Sequence, residues 1–431
     1  MALRRKAAHA YLVAVRAYVD LRVQVVEARD KLLIEFGSQS LLERHLRALD
    51  ELGCDRIVVV TRPDLAATVE SIVACIDAGV RVALQPEAKG MADAVLCARP
   101  ALEAFGDGAV YITQAHDVVE RRLHAEMLEA WARRDGGTAG LLAAARVKQY
   151  FPGGYLTLDG QRAVSIVEKP GAGNEPSDLV NLVAHVHASW QTLCSAIGTA
   201  APTGDPDDAY ERALDALTRS STYLAHVYDG PWQGLKYPWH LLDVMDLMLS
   251  LWTRGVESPG PGYDQREDGV FMAGDVRVFP GGYVAAPALI GPGCVIGNNA
   301  LVRASIVGPN CVVGFGSEVA RSFLAGQVEL HHNYVGDSVF DRDTSMGWGA
   351  TTANYRIDHR TVPSVVGGRR VDTEREKLGL ILGTGARIGV NASLMPGVKV
   401  GAGALIGPAI RVTRDVPDGE RVLDEETYGR F

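Results

Sequence analysis

Two histidines, an amide, a tyrosine and an aspartate fall within one short segment, HHNYVGDS at positions 331–338. A neutral imidazole accepts a proton near neutral pH, so histidine is the side chain best suited to general base catalysis. A single histidine is nevertheless more often a packed or surface residue than a catalytic one. His331 is therefore a candidate base whose assignment depends on its surroundings, and His332 is expected to face outward or to support it.

A second polar region, at 354–377, ends in a stretch rich in arginine and lysine between Arg369 and Lys377. Guanidinium and ammonium groups form charge-assisted hydrogen bonds with phosphate, so this stretch suits a phosphorylated ligand. A run of charge is also typical of a solvated loop. The residues alone leave both interpretations open.

The composition excludes several classes of partner. The net charge of -9 argues against nucleic acid or an anionic membrane as an electrostatic partner, although local basic pockets remain compatible with it. The six cysteines are scattered, with no CxxC pair and no histidine at metal-ligand spacing, so we expect reduced core residues. No apolar run reaches the roughly 18 residues that span a bilayer. We expect no secretory signal and a cytoplasmic protein.

The elements that must position these residues follow a hexapeptide period. An aliphatic residue followed by glycine recurs in the last third of the chain, a pattern typical of a triangular solenoid with one short strand on each side and a tight turn at each corner. The aliphatic side chains then stack into a continuous core, with five-residue slips at Val307 and Phe340. The aliphatic positions of the repeat are Val284, Ile290, Ile296, Val302, Leu382, Ile388, Leu394, Val400, Ile406 and Val412.

The region before the solenoid alternates strands and helices. Strands are predicted at 56–61, 80–85 and 109–113, and helices at 41–52, 67–78 and 120–133. This alternation indicates an α/β domain with a mainly parallel sheet and helices on both of its faces. The predicted domains are 1–255, a linker at 256–269 rich in Pro, Gly and charge, the solenoid at 270–418 with an inserted loop at 354–377, and a tail at 419–431.

The order of these parts resembles bacterial and archaeal bifunctional sugar-1-phosphate nucleotidylyltransferase/acetyltransferases. In that family a Rossmann-like nucleotidyltransferase domain precedes a left-handed parallel β-helix of hexapeptide repeats, which forms trimers. KLLIEFG at 31–37, Gln85 with Gly90, and the Glu168-Lys169-Pro170 motif resemble segments of the first domain. The resemblance implies nucleotide or sugar contacts for Lys31, Gln85, Gly90, Glu168, Lys169 and Asn181, and a metal-binding role for Asp117.

The first domain departs from the family pattern at three places. The glycine-rich loop that holds the triphosphate falls on 17–22, where no glycine is present and Asp20 would repel phosphate. The second metal-binding position falls on Gly234, and Met91 replaces a small hydroxyl residue. These departures from the family pattern imply that nucleotidyl transfer has been lost in this domain. Mg²⁺ would be needed only if the domain is active.

The second domain resembles the family more closely. The segment from His331 to Ser338 is similar to the family's HLxYxGD motif, in which the histidine is the catalytic base. The resemblance further implies that the acceptor amino sugar is contacted by Tyr334, Asn354 and Tyr355, and its phosphate by Arg303 and Lys377. Rungs from Ser393 to Gly407 resemble those that line a coenzyme A groove.

Two departures affect the acceptor pocket of the second domain. Ala320 stands where the family has a second phosphate-binding lysine, with Arg321 beside it as a substitute. Trp348 replaces a small residue near the acyl and sugar pocket, and a ring of that size would reshape it. The acceptor, the acyl group or both are therefore expected to differ from those of the family.

We therefore expect an N-acyltransferase that uses acetyl-CoA or another acyl-CoA and acts on an amino sugar phosphate, an amino sugar nucleotide or a related amine, as a homotrimer. One alternative is a working bifunctional enzyme, which would release pyrophosphate. The other is a non-catalytic regulatory subunit that binds a sugar nucleotide without turnover.

Overall fold

Contacts divide the chain into two compact units in this computed structural model. The first consists of 42–232 together with the strand Ala10–Ala14, and the second of 31–41 together with 233–424. These bounds differ from the predicted division at 255, because the segments 31–41 and 233–255 make their contacts with the solenoid. The structure describes residues 31–76, 79–87, 89–201, 205 and 208–424, and the backbone of 10–14.

The first unit is built on one twisted sheet of nine strands. Four neighbouring strands run parallel, but Leu179–His187 is antiparallel to both strands beside it. The sheet is therefore mixed, and the prediction of a mainly parallel sheet was wrong for its second half. From edge to edge the strands are Gly79–Leu84, Arg56–Thr61, Ala10–Ala14, Val110–Gln114, Leu179–His187, Gly140–Arg146, Tyr223–Tyr228, Arg162–Glu168 and Gly154–Asp159.

Helices of the first unit pack their apolar sides on this sheet. Leu41–Glu51 shows the reason: its leucines recur at helical spacing and are buried, while its charged residues lie on the other side. The predicted helix at 67–78 is shorter in the structure and ends at Val73. The other helices are Ala66–Val73, Gly90–Cys97, Arg99–Phe105, Arg121–Arg133, Trp190–Ala200 and Ala209–Ser220, with single 3₁₀ turns at Lys31–Leu33 in the second unit and Pro63–Leu65 in the first.

The second unit is a solenoid of parallel coils, with a short strand on each of its three sides. One side is a sheet of eight parallel strands: Arg277–Val278, Val295–Ile296, Val312–Val313, Val328–Leu330, Thr344–Met346, Arg387–Ile388, Leu405–Ile406 and Arg421–Val422. The other two sides share thirteen strands: Tyr263–Glu267, Val270–Ala273, Tyr283–Ile290, Leu301–Val307, Glu318–Ala320, Phe323–Leu324, Tyr334–Gly336, Val339–Phe340, Thr351–Thr352, Ile381–Leu382, Ser393–Leu394, Lys399–Val400 and Arg411–Val412.

The hexapeptide period is explained by the core of these coils. Ile296, Val313, Leu330 and Met346 pair in register from coil to coil, and all four are buried. The predicted aliphatic positions from Val284 to Val412 are all buried in the same cluster, which confirms the repeat. Burial of such side chains contributes roughly 1.5–3 kcal/mol each, so the stack stabilises the whole unit.

The five-residue slips in the repeat coincide with tight corners. Ala304, Arg321 and Asp337 occupy the same corner in successive coils, and each adopts a left-handed backbone conformation with φ of 47°, 49° and 50°. A left-handed residue turns the chain sharply, and the same conformation also occurs at six-residue corners, at Asn299 and Asn310.

Three further elements complete the second unit. The helix His240–Thr253 packs on the solenoid strands, and Tyr263–Glu267 pairs with Val270–Ala273 inside the predicted linker. The inserted segment 354–377 contains the hairpin Pro363–Val366 and Arg369–Asp372. In the described part of the chain, no helix has the length and apolar character needed to cross a membrane.

Candidate active site

His331 lies at a solenoid corner that is occupied by glycine in the neighbouring coils. It follows Leu330, and the residues aligned with Leu330 in those coils are followed by Gly314 and Gly347. A Cβ atom at Gly314 would lie 2.3 Å from a backbone oxygen, so a side chain is not accommodated there without a shift. Phe279 and Leu423 hold the same corner in the first and last coils, so His331 is the non-glycine residue among the inner coils of this row, and its side chain is exposed.

Asn333 holds the backbone of this corner in place. Its Oδ1 accepts a hydrogen bond from the His331 N–H at 2.5 Å, whereas the Gly314 N–H donates to the next coil. The Asn333 amide group donates to the carbonyl oxygens of Gly347 and Ala350, both at 2.8 Å. The side chain is buried, so these bonds are costly to lose. The imidazole of His331 is thereby presented to solvent on an anchored backbone.

An exposed stack of rings lies beside His331. The His332 ring is sandwiched between Phe315 and Trp348, with centroids 5.8 and 5.2 Å away and planes inclined by only 18° and 12°. The ring of His332 faces outward, as predicted. Trp348 is 58% exposed and stacks on His332, so its ring forms part of the surface near His331 instead of filling the solenoid.

Tyr334, Asn354, Asp337 and Arg321 form one polar cluster. The Arg321 guanidinium donates two bonds to the Asp337 carboxylate, both at 2.7 Å, and this ion pair raises the pKa of Arg321 further above its usual value. The Asn354 amide donates to Asp337 and, at 3.1 Å, to the Tyr334 hydroxyl. Two predicted contacts, Tyr334 and Asn354, are therefore adjacent, and both are half-buried.

The predicted phosphate-binding residues, Arg303 and Lys377, lie in different surroundings. Arg303 lies in the same row as Ala320 and is held by Glu318, whose Oε1 accepts bonds of 2.9 and 2.8 Å from its guanidinium. Lys377 pairs with Tyr355 through a backbone bridge at the base of the insertion, and its ammonium lies 6.0 Å above the Tyr355 ring. The Tyr355 hydroxyl bonds to His359 at 2.6 Å.

The sequence pattern does not mark Glu318 as a site residue, and it includes Asn333 and Asp337 only as members of the segment 331–338. Glu318 and Arg303 are distant in sequence and meet only because they occupy adjacent coils. Asn333 could have been found, since a buried amide two residues after the corner is the only local group able to replace the lost coil-to-coil bond. Among the described residues, no hydrogen bond or ring contact joins the His331 imidazole to Tyr334 or Asn354, which lie on the next side of the solenoid.

In the first unit, the predicted base-recognition residues are engaged internally. Gln85 is buried, and its amide donates to the Gly90 carbonyl at 3.1 Å and to Asp93 at 2.8 Å. Met91 is buried and accepts a contact of 3.2 Å from Gln114. The large side chain at 91 is therefore accommodated by the core.

The predicted sugar-contacting residues lie close to one another. A Cβ atom at Gly154 would lie 3.1 Å from the Glu168 carboxylate and 3.6 Å from Asn181. The Asn181 Oδ1 accepts a bond from buried His185 at 2.9 Å, and Lys169 is exposed and pairs with Glu168 at 3.3 Å.

The remaining predicted positions of the first domain are dispersed. Lys31 falls in the second compact unit, where its ammonium donates to the Leu235 carbonyl. Asp117 is half-buried at the start of the strand Asp117–Val119. The loop at 17–22 lies outside the described residues. No group of three or more potential ligands that could hold a metal occurs in the described residues, and Gly234 offers no side chain.

Comparison with known proteins identifies the family to which this chain is related. Residues 22–168 match the model of the MobA-like NTP transferase domain. A bifunctional sugar-1-phosphate nucleotidylyltransferase/acetyltransferase from Sulfurisphaera tokodaii is 30% identical over 276 residues, which cover 62% of this chain and 67% of the relative. The chain belongs to the bifunctional sugar-1-phosphate nucleotidylyltransferase/acetyltransferase family.

Other members of this family match at lower identity. The bifunctional protein GlmU of Methanocaldococcus jannaschii is 25% identical over 64% of this chain and 67% of its own length. The bifunctional protein GlmU of Trichlorobacter lovleyi is 25% identical over 90% of each chain. The resemblance inferred from the motifs is thereby confirmed, and this bifunctional-family chain is a transferase. The match to the Trichlorobacter lovleyi protein covers 90% of this chain and therefore includes residues of both units.

Proposed function

We propose that the second unit is an N-acyltransferase that uses an acyl-CoA, with acetyl-CoA as the first choice, and His331 as its general base. The observation that carries the proposal is the placement of His331: an exposed imidazole stands in a row of glycines, on a backbone anchored by buried Asn333. Glycine holds this corner in the coils on both sides, so packing between the coils does not require a side chain at position 331.

The reaction follows from the chemistry of amines and thioesters. The acceptor nitrogen attacks the thioester carbonyl carbon, an N–C bond forms, and the C–S bond breaks. The imidazole of His331 takes the proton that the nitrogen loses, and returns it to the departing thiolate of coenzyme A. Both electron pairs and protons balance, so no further reactant is needed. The Tyr334 hydroxyl and the Asn354 amide supply hydrogen bonds to the acceptor on the adjacent side.

The proposed site is completed by a second subunit. His331 lies at one corner of the solenoid, whereas Tyr334, Asn354 and Lys377 lie on the next side and in the insertion. We propose a left-handed β-helix that forms a homotrimer, in which the acceptor residues of one subunit face the base of a neighbour. Ile357 supports the proposal, because it is 98% exposed near the start of the insertion and would be covered by a second copy.

The first unit is proposed to bind or assemble without nucleotidyl transfer. Gln85 is satisfied internally by Asp93, and the second metal-binding position is occupied by glycine. Nucleotidyl transfer depends on a bound cation to neutralise charge on the phosphates, and a single Asp117 carboxylate is a poor site for one.

Acceptor-dependent release of coenzyme A tests the proposal. The purified chain is mixed with acetyl-CoA and a panel of amino sugars, their phosphates and their nucleotide derivatives. The proposal expects release of free thiol only when an acceptor is present. Absence of release across the panel, with acetyl-, propionyl- and succinyl-CoA, would contradict it.

A working bifunctional enzyme is the second candidate. It is supported by the strand Ala10–Ala14, which pairs in parallel with Arg56–Thr61 and Val110–Gln114 at the centre of the sheet. It is also supported by the named activities of the relatives. Pyrophosphate release from a nucleoside triphosphate and a sugar phosphate would favour it.

A further inference from the structure

A chain of buried polar side chains crosses the core of the first unit. The Tyr210 hydroxyl lies 2.9 Å from His185 Nδ1 and 3.3 Å from His187 Nε2. The Tyr223 hydroxyl lies 2.9 Å from His187 Nδ1. All four side chains are at most 2% exposed. Polar groups are costly in an apolar core unless each of them is hydrogen-bonded, so this arrangement depends on all of its members.

One end of this chain of side chains reaches solvent. His185 Nε2 lies 2.9 Å from the Oδ1 of Asn181, which is half-buried. The amide nitrogen of Asn181 makes no hydrogen bond to any of the described residues. At the opposite end, the Tyr223 hydroxyl is buried, and His187 is its hydrogen-bond partner within the described part of the chain. The network therefore links an enclosed hydroxyl to one accessible amide.

The protons in this network point in one direction. Burial lowers the pKa of both histidines to about 3, so each ring is neutral and has one N–H donor and one acceptor nitrogen. The Tyr223 proton is satisfied when His187 Nδ1 accepts it, and His187 Nε2 then donates to Tyr210. The Tyr210 hydroxyl donates in turn to His185 Nδ1, which leaves the N–H on Nε2 to donate to Asn181. The opposite direction would leave the buried Tyr223 proton without an acceptor, which is costly.

This direction fixes the amide of Asn181. Because its Oδ1 accepts from a buried ring, the amide nitrogen occupies the other branch of the amide and keeps its two N–H donors. Gly154 lies between Asn181 and Glu168, since a Cβ atom there would be 3.6 Å from Asn181 and 3.1 Å from the Glu168 carboxylate. A hydroxyl group both donates and accepts, so an amide donor near a carboxylate acceptor suits a ligand that carries hydroxyl groups.

A second histidine–tyrosine pair in this unit is surrounded by the core. His124 Nδ1 lies 2.8 Å from the Tyr111 hydroxyl, and both side chains are buried. The His124 ring packs edge-on against buried His45, whose Nε2 bonds to Thr113 at 2.8 Å. His124 therefore provides a reference for the loss of a buried ring and its hydrogen bond at a position away from Asn181.

We propose that His185 is a positioning residue for the ligand site of the first unit, because it holds the Asn181 oxygen and so presents the Asn181 amide nitrogen to a ligand hydroxyl beside Glu168. The inference rests on the binding role proposed above for the first unit, and it adds the group that this unit recognises, a hydroxyl on the hexose of a sugar nucleotide. Tyr210 and His187 act one step further away, since they fix which nitrogen of His185 carries the proton.

The contribution of the hexose to binding tests this role. Isothermal calorimetry on the full chain compares UDP-glucose, UDP-N-acetylglucosamine, dTDP-glucose, ADP-glucose and GDP-mannose each with its nucleoside diphosphate, and the ratio of the two Kd values gives the hexose contribution. His185→Met removes the N–H donor and keeps a similar volume. For a sugar nucleotide that binds, the ratio should fall by about three- to tenfold, while the Kd of the nucleoside diphosphate stays the same.

Two further variants separate positioning from a general loss of packing. His185→Gln keeps an N–H close to the position of Nε2 and should retain most of the hexose contribution. His124→Met makes the same change in the reference pair and should leave the ratio at its wild-type value. An unchanged ratio in His185→Met, or an equal fall in His124→Met, would overturn the inference and leave the binding role intact. If none of the sugar nucleotides binds the wild-type chain, the binding role fails, and the inference fails with it.

Nitrogen NMR of histidine-labelled protein gives a readout that needs no ligand. The chemical shift distinguishes a ring nitrogen that carries a proton from one that does not, and the His185 signals are those missing from His185→Gln. The inference expects the proton of His185 on Nε2. A proton on Nδ1 would reverse the direction of the network, turn the Asn181 nitrogen toward the ring and overturn the inference.

Discussion

Two buried histidines of the first unit and His331 of the second unit occupy opposite environments. In the first unit, His185 and His187 are buried, and their ring nitrogens bond to Asn181, Tyr210 and Tyr223. Burial lowers the pKa of each to about 3, so both stay neutral. In the second unit, His331 has its backbone anchored and its ring exposed. A ring with both nitrogens occupied is part of the framework, whereas an anchored backbone with a free ring is suited to chemistry.

Acidification should produce the largest difference in stability between the two units. Burial also lowers the pKa of His124 to about 3, so His124, His185 and His187 take up protons on unfolding once the pH falls below their ordinary value. Because the unfolded state then binds more protons, each histidine lowers the free energy of unfolding by about 1.4 kcal/mol per pH unit between about pH 6.5 and 3. Hydrogen exchange with mass spectrometry should show the first unit opening first.

His124→Gln provides the control for this pH dependence. The ring of His124 bonds to the Tyr111 hydroxyl at 2.8 Å, and glutamine keeps a polar group at that position without taking up a proton. The variant should lose part of the pH slope in the first unit only. Equal opening of both units on acidification would show that the buried histidines do not set the difference.

Replacement of the candidate base should have the next largest effect. His331→Ala is expected to reduce acceptor-dependent coenzyme A release by about 10²- to 10⁴-fold, because proton removal from the amine is no longer assisted. Most of the loss should appear in kcat, since the imidazole acts in the transition state. His332→Ala, in the neighbouring exposed ring, should retain most activity. Comparable losses in both variants would contradict the assignment of the base.

The aliphatic core should contribute stability to the second unit that does not depend on pH. Leu394 is fully buried in the coil stack, and Leu394→Ala should lower the free energy of unfolding of this unit by about 2–5 kcal/mol. No titrating group is involved, so the loss should be the same at neutral and mildly acidic pH. Urea unfolding followed by the circular dichroism of the strands would measure it.

Loss of the Asn333 side chain, which holds the His331 corner, should have the smallest effect on stability. It should also lower the activity. Asn333→Ala removes the acceptor of the His331 N–H and the donor to the Ala350 and Gly347 carbonyls, of which Gly347 keeps a bond from the Ala350 N–H, at a cost of about 1–3 kcal/mol. The corner should also move, which lowers kcat while the protein stays folded. Asn298→Ala, at an exposed amide, is the matched control. Wild-type kcat in Asn333→Ala would show that the corner is held by other contacts.

Much of the fold could be predicted because local patterns decide it. The strand Arg56–Thr61 has the predicted bounds, since a run of buried β-branched residues has few alternatives. The solenoid core follows directly from its period. The mixed direction of the sheet could not be predicted, because the reversal at Leu179–His187 depends on pairing between segments far apart in sequence.

The site could be predicted only in part. The motif marks His331 and Tyr334 as candidates, but exposure of the ring depends on the solenoid corner. The pairing of Arg303 with Glu318 was not foreseen, because a charge on one coil meets whatever the next coil places beside it, and the length of each corner sets that register.

One preparation assayed for two products tests the central claim that chemistry resides in the second unit. The full chain is incubated with acetyl-CoA, an amino sugar, its 1-phosphate, a nucleoside triphosphate and Mg²⁺, and both free coenzyme A and pyrophosphate are measured. We expect coenzyme A release that requires the amine and His331, with no pyrophosphate above background. Pyrophosphate release without coenzyme A release would place the chemistry in the first unit and contradict the account.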